Sequence, residues 1–289
     1  MNMFETRRFV LRWRLVPVLA LVALLSACNV ATIAYNRAPS LIFWRLDAML
    51  DLSGEQSALL RPALQDWHAW HRTAHLPQVA DAMRQWQLWA VQDLTAEQVC
   101  QVFDQVRVWV AEAGQAMLPA LADLAPTLSP SQLERWSQHQ AKQTETFIQD
   151  FGPPGVVSEA RHRRAVDRAE MIYGRLSPEQ RQWLRSRMEQ GAFDVEQAVA
   201  ERQARHADAL ETVSRIQAGA DAMAEMERAW QRTLASPREA YRRYAQLALT
   251  DACSQFAELH NQTTDAQRQR AVQRLQAYER DIRSLVNGR

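Results

Sequence analysis

The chain has 289 residues, of which 34 are basic, 33 acidic and only 8 glycine. So few glycines argue against a protein of sheets and tight turns, whereas the abundant Ala, Leu, Gln, Glu and Arg favour helix. The near-even charge argues against a nucleic-acid partner, which calls for a strongly basic surface.

Arg7, Arg8, Arg12 and Arg14 precede an apolar run from Leu15 to Leu25. That run has the length of a signal-peptide core and is too short to span a bilayer as a stable helix. Leu25-Ser26-Ala27-Cys28 then reads as a lipobox. It predicts a signal peptide over residues 1–27, cut before Cys28, whose thiol and new amino terminus carry acyl chains. The competing readings are a plain transmembrane anchor with Cys28 incidental and, for Thr6-Arg7-Arg8, a twin-arginine export route. By resemblance to the sorting of Gram-negative lipoproteins, Asn29 in place of an aspartate favours the outer membrane. The expected location is its periplasmic face, with the membrane as a partner through the lipid anchor and residues 28–40 as a linker. Removing residues 1–27 takes away four arginines and one glutamate, which leaves a formal net charge of −2 on a body long enough for one or two domains.

That body carries a recurrence: Leu52-Ser53-Gly54-Glu55-Gln56, Leu94-Thr95-Ala96-Glu97-Gln98, Leu128-Ser129-Pro130-Ser131-Gln132 and Leu176-Ser177-Pro178-Glu179-Gln180. In each, a Ser or Thr oxygen can accept from the backbone N–H two or three residues on, while the Gln three residues later reaches back to the cap's own N–H. Each predicts a helix start. Pro130 and Pro178 sit at the first helical position, where a missing N–H costs nothing. Ser236-Pro237-Arg238-Glu239 and Thr264-Asp265-Ala266-Gln267 read as two further starts. The spacing of the boxes is irregular, which excludes a tight solenoid.

Between the starts, apolar residues recur at helical spacing. Leu60, Leu64, Trp67 and His71 form one stripe, and Val99, Val102, Val106, Trp109 and Val110 another. Leu76-Pro77, Ala125-Pro126 and Phe151-Gly152-Pro153-Pro154-Gly155 are breaks, the last dividing an N-terminal lobe, 41–151, from a C-terminal lobe, 156–289. A stripe from Met188 through Val199, Val213 and Ile216 to Trp230 predicts one long helix, or two nearly collinear ones broken at Gly219, around 178–235. The expected fold is an all-α bundle of about eight to ten helices.

Tyr35-Asn36, Trp44-Arg45-Leu46-Asp47, Trp67-His68-Ala69-Trp70-His71-Arg72 and Arg168-Ala169-Glu170 through Gly174-Arg175-Leu176 resemble a family of uncharacterised proteobacterial lipoproteins over nearly the whole mature chain. The resemblance implies location and helical fold, and no activity. The four Leu-Ser/Thr-x-x-Gln boxes are similar to the LTxxQ motif of the Spy/CpxP group of periplasmic stress proteins, which implies a helical chaperone or a metal-responsive relative.

Several clusters are candidates for chemistry. His68, His71 and His75, at i, i+3 and i+7, share one face of an ideal helix and could hold a transition metal, or His71 extends a core stripe with wet neighbours. Arg161, Arg164 and Arg168, with Arg175 beyond, form a basic ridge that could bind an anion or be paired to neighbouring helices. Trp67, Trp70, Trp86 and Trp89 could line a groove or pack the core. Cys100 and Cys253, an even pair once Cys28 is acylated, are either a disulfide between the lobes or two separate buried thiols. No catalytic motif stands out, and no cofactor is expected. The favoured function is a non-enzymatic helical binding or chaperone-like envelope protein with a protein partner. The alternatives are a periplasmic metal-binding or metal-sensing protein built on the histidine face, and a helical cell-wall hydrolase.

Overall fold

The computed structural model describes residues 32–152 and 157–288. The expected signal peptide, Cys28 and Asn29 lie outside the described residues. Among the described residues the regular structure is helical, and no strand occurs. The chain is helical at 32–36, so the expected linker over 28–40 is already structured from residue 32. There follow α1 (Ala38–Leu50), α2 (Gly54–Trp70), a π-turn (His71–His75), α3 (Leu76–Trp89), α4 (Ala96–Gln115), the short α5 (Leu118–Leu124) and α6 (Pro130–Phe151). Then come α7 (Glu159–Tyr173), α8 (Pro178–Glu189), α9 (Val195–Gln217), α10 (Ala222–Leu234), α11 (Glu239–Asn261) and α12 (Asp265–Val286).

The helices number twelve among the described residues, above the expected eight to ten, because prolines and caps cut the chain more often than its apolar stripes suggest. The stretch around 178–235 is three helices. Asp194 caps α9 by accepting from Glu196 and Gln197 N–H, and Asp221 caps α10 by accepting from Ala224 N–H at 2.7 Å. Beyond Gly219 the chain folds back: Arg215 Nε donates to Glu225 at 2.9 Å and Arg232 Nε to Asp208 at 2.8 Å, a pairing that only antiparallel α9 and α10 can make. At Leu76-Pro77 the chain does not break. Pro77 lacks the N–H that would bond the Thr73 carbonyl, and the ladder widens into the π-turn, with Leu76 N–H reaching His71 O.

The capping boxes form at Ser53/Gln56, Thr95/Gln98, Ser129/Gln132, Ser177/Gln180 and Thr264/Gln267. The start expected at Ser236 does not form as a box, because the Ser236 hydroxyl is buried and donates to Glu201 at 3.0 Å, leaving α11 to open after Arg238. Four of the box glutamines also clasp one another in pairs. Gln56 Nε2 donates to Gln132 Oε1 at 3.1 Å and to Thr127 O at 2.9 Å, while Gln132 Nε2 donates to Gln56 Oε1 at 2.7 Å and to Asp51 O at 3.0 Å. Gln180 and Gln267 repeat the pattern at 2.9 and 3.0 Å, with Gln262 O and Arg175 O as the carbonyls. Each amide donates to the partner amide and to the carbonyl two residues before the partner's cap. Two helix starts are thereby tied nose to nose, α2 with α6 and α8 with α12.

The expected lobes do not pack as separate units. Leu50, Leu124 and Leu128 share a core with Val213 and Ile216, Ala90 packs with Tyr173, Leu176 and Ala271, and Val99 packs with Cys253 and Ala257. Each of these clusters crosses the boundary at residue 152, so apolar area from both halves is buried together.

Candidate functional site

Two antiparallel helix pairs frame the site. Arg84 and Gln87 of α3 both donate to Glu279 of α12, at 3.2 and 2.8 Å, and Arg283 reaches back to Asp81 at 2.9 Å. α4 and α11 are joined by a Cys100–Cys253 disulfide with Cα atoms 5.4 Å apart, and Asn261 holds the backbone N–H and carbonyl of Leu94 at 2.8 and 3.0 Å. Between the pairs opens an apolar cavity of about 300 Å³, walled by Trp86 and Trp89 of α3, Val102 and Phe103 of α4, Phe256 of α11 and Tyr278 of α12.

Tyr173 and His260 lie on its inner side. The Tyr173 hydroxyl donates to His260 Nδ1 at 3.0 Å, which leaves the proton on Nε2 to donate to Gln92 O at 2.9 Å. Burial lowers the His260 pKa and pushes the Tyr173 phenol well above its ordinary range, so both are neutral at neutral pH. Their polar atoms are consumed by each other and by Gln92, and they face the cavity as an apolar wall.

The mouth offers two polar handles. Arg274 stacks over the Tyr278 ring at 5.0 Å and carries a charge there. Gln98 accepts from Thr95 N–H at 2.9 Å through Oε1, and its Nε2 has no partner among the described residues. It is the box glutamine without a clasp. The arrangement suits binding: an apolar surface, two free amide hydrogens and one cation.

The other candidates fall elsewhere. His68 Nε2 bonds the Tyr35 carbonyl at 3.0 Å, His71 Nδ1 the Tyr35 hydroxyl at 3.0 Å and His75 Nε2 the Glu112 carboxylate at 3.0 Å. Among the described residues no three His, Cys, Asp or Glu side chains gather as a metal-binding group, and the face His68, His71 and His75 is a packing junction. Through the π-turn the His75 ring stays 5.0 Å from that of His71, but it stacks on Trp70 and bonds Glu112 of α4, so packing and a carboxylate hold it in place. Burial, with repulsion from His75 and His68, lowers the His71 pKa to about 4, and burial lowers that of His68.

The arginine ridge divides as well. Arg161 covers the Phe193 ring at 4.3 Å, Arg164 pairs with Asp150 at 2.6 Å, and Arg168 and Arg175 are exposed. Of the tryptophans, Trp86 and Trp89 line the cavity, whereas Trp67 packs on His71 and donates to Ala113 O at 2.9 Å. Tyr173, His260 and Tyr278 carry no common spacing signal in the sequence, because they come from three different helices, the first of them 87 positions before His260.

The model of a family of unknown function, DUF6279, matches residues 48–233, a span that holds α3, α4 and α7 of the site and ends before α11 and α12. No curated protein and no solved structure matches the chain.

Proposed function

The chain belongs to DUF6279, a family of unknown function, and from its own groove and sequence we propose that it is a non-enzymatic binding protein that takes up an apolar peptide segment of an envelope protein. Acyl chains on Cys28 hold it at the periplasmic face of the outer membrane; the lipobox and Asn29 support this part of the reading.

The observation that carries the binding reading is the free amide of Gln98 at the mouth of an apolar groove. Where the other boxes meet, the same glutamine donates to a backbone carbonyl beside a second helix start. A bound peptide supplies that carbonyl at Gln98, and its apolar side chains fill the space between Trp86, Trp89 and Phe103. Backbone carbonyls distinguish this occupant from a bare acyl chain, which would leave the amide donors unmatched. The metal-sensing alternative needed imidazoles that are engaged with Tyr35 and Glu112, and the hydrolase alternative has no arrangement of side chains to favour it.

Photocrosslinking in intact cells tests the reading. With benzoylphenylalanine in place of Val102, the full chain should form adducts with protein, and Gln98→Leu should weaken them. The same residue in place of the exposed Leu247, on α11, should give none of these adducts. Adducts confined to lipid, or identical adducts from both positions, would overturn the proposal.

A further inference from the structure

We infer that the outer face of α1 lies in the headgroup layer of an anionic lipid bilayer, so that the membrane fixes the orientation of the molecule as well as its location. The inference rests on the acylated Cys28 of the preceding reading. The inner face of α1 is spoken for: Phe43 and Leu50 are buried, Phe43 against Leu60 and Leu64. Its outer face is unusual for a helix in water. Ile33, Leu41 and Trp44 are 58, 54 and 69 % exposed, and their spacing of eight and three residues sets them on one side of the helical chain.

Arg37 and Arg45 are exposed on the same side and have no side-chain partner among the described residues. No Asp or Glu is among the exposed residues from 33 to 48. An aromatic and two aliphatic side chains flanked by unpaired guanidinium groups match an interface with apolar depth and anionic headgroups. Chain length brings the two together. Ile33 is five residues from Cys28, and five residues span at most about 18 Å, so an acylated Cys28 keeps the start of this face at the bilayer surface.

The test uses the full lipidated chain in vesicles of phosphatidylethanolamine and phosphatidylglycerol. With Cys28 acylated and Cys100 bonded to Cys253, Trp44→Cys or Leu41→Cys supplies the free thiol for an environment-sensitive fluorophore, and Leu247→Cys supplies the control. A nitroxide carried on the lipid should remove about half or more of the emission at 44 and at 41, and little at 247, as a burial of several ångströms implies. Flotation of the chain with the vesicles, combined with unquenched labels at 41 and 44, would overturn the inference and leave the anchor standing. A chain that does not float would overturn the anchor itself and the inference with it. Labels shielded from an aqueous quencher but untouched by the lipid nitroxide would mean that a second copy of the chain covers this face, which also overturns the inference.

Discussion

His71 shows how one side chain carries the state of its surroundings. Its ordinary pKa of 6.5 falls to about 4, first through burial and then through the neighbouring His75 and His68. The unfolded chain therefore binds the proton before the folded one does. The stability tied to this group is complete above about pH 6.5 and is lost as the pH falls toward 4. His68, His206 and His260 are lowered in the same direction, each chiefly by burial, so they add slopes of the same sign. Urea midpoints measured from neutral pH down to 4 should fall steadily in the parent chain. They should fall less steeply in His71→Gln, and equal slopes would mean that His71 titrates normally. The sequence set His71 on an apolar stripe between wet neighbours, whereas His68 and His75 are buried and His71 only partly so. It could not supply Tyr35 as its partner, which lies 36 positions away and meets it only through packing.

At the scale of elements, the box glutamine has two tasks, and only one is local. Its Oε1 receives the N–H of its own cap, which any reader of the sequence can infer from the three-residue spacing. Its Nε2 ties one helix start to another, which the sequence cannot show because the partners are 76 and 87 positions apart. The clasp explains why the position is Gln here: a glutamate would cap equally well but would present oxygen to oxygen. Gln180→Glu removes both donations and sets a carboxylate against Gln267 Oε1 and Gln262 O, so it should cost about 2–3 kcal/mol in urea denaturation. Gln98→Glu, in the box without a clasp, should stay within about 0.5 kcal/mol. Equal losses in the two variants would show that capping alone matters.

For the whole molecule, the disulfide between α4 and α11 closes a loop with a sequence separation of 153 residues. On the chain-entropy model a loop of that length stabilises by about 5 kcal/mol. Reduction, or Cys100→Ser with Cys253→Ser, should therefore lower the stability by an amount of that order and loosen the groove that the two helices wall. Urea denaturation with and without reductant measures it, and thiol labelling under denaturing conditions without reductant tests the bond itself. An unchanged midpoint would mean that the antiparallel pairs hold the two halves by packing alone. Such packing is extensive, since the clusters around Val213, Tyr173 and Cys253 each draw on both halves of the chain.

Helix starts, the all-α class and the apolar stripes are set by interactions within a few residues, such as a hydroxyl three positions from an N–H or a methyl one turn from the next. These the sequence alone determined, down to five capping boxes at their positions. Which starts face each other, where α9 turns back into α10, and which aromatic residues share a cavity depend on contacts between distant segments, and only the tertiary structure decided them. The histidine face marks the division. The i, i+3, i+7 spacing is correct for an unbroken helix, but Pro77 widens the turn before it, and tertiary packing then commits the three imidazoles to Tyr35 and Glu112. Local rules state which hydrogen bonds a segment can make by itself; the partners brought in from elsewhere determine which groups, such as the Gln98 amide, remain free to bind something else.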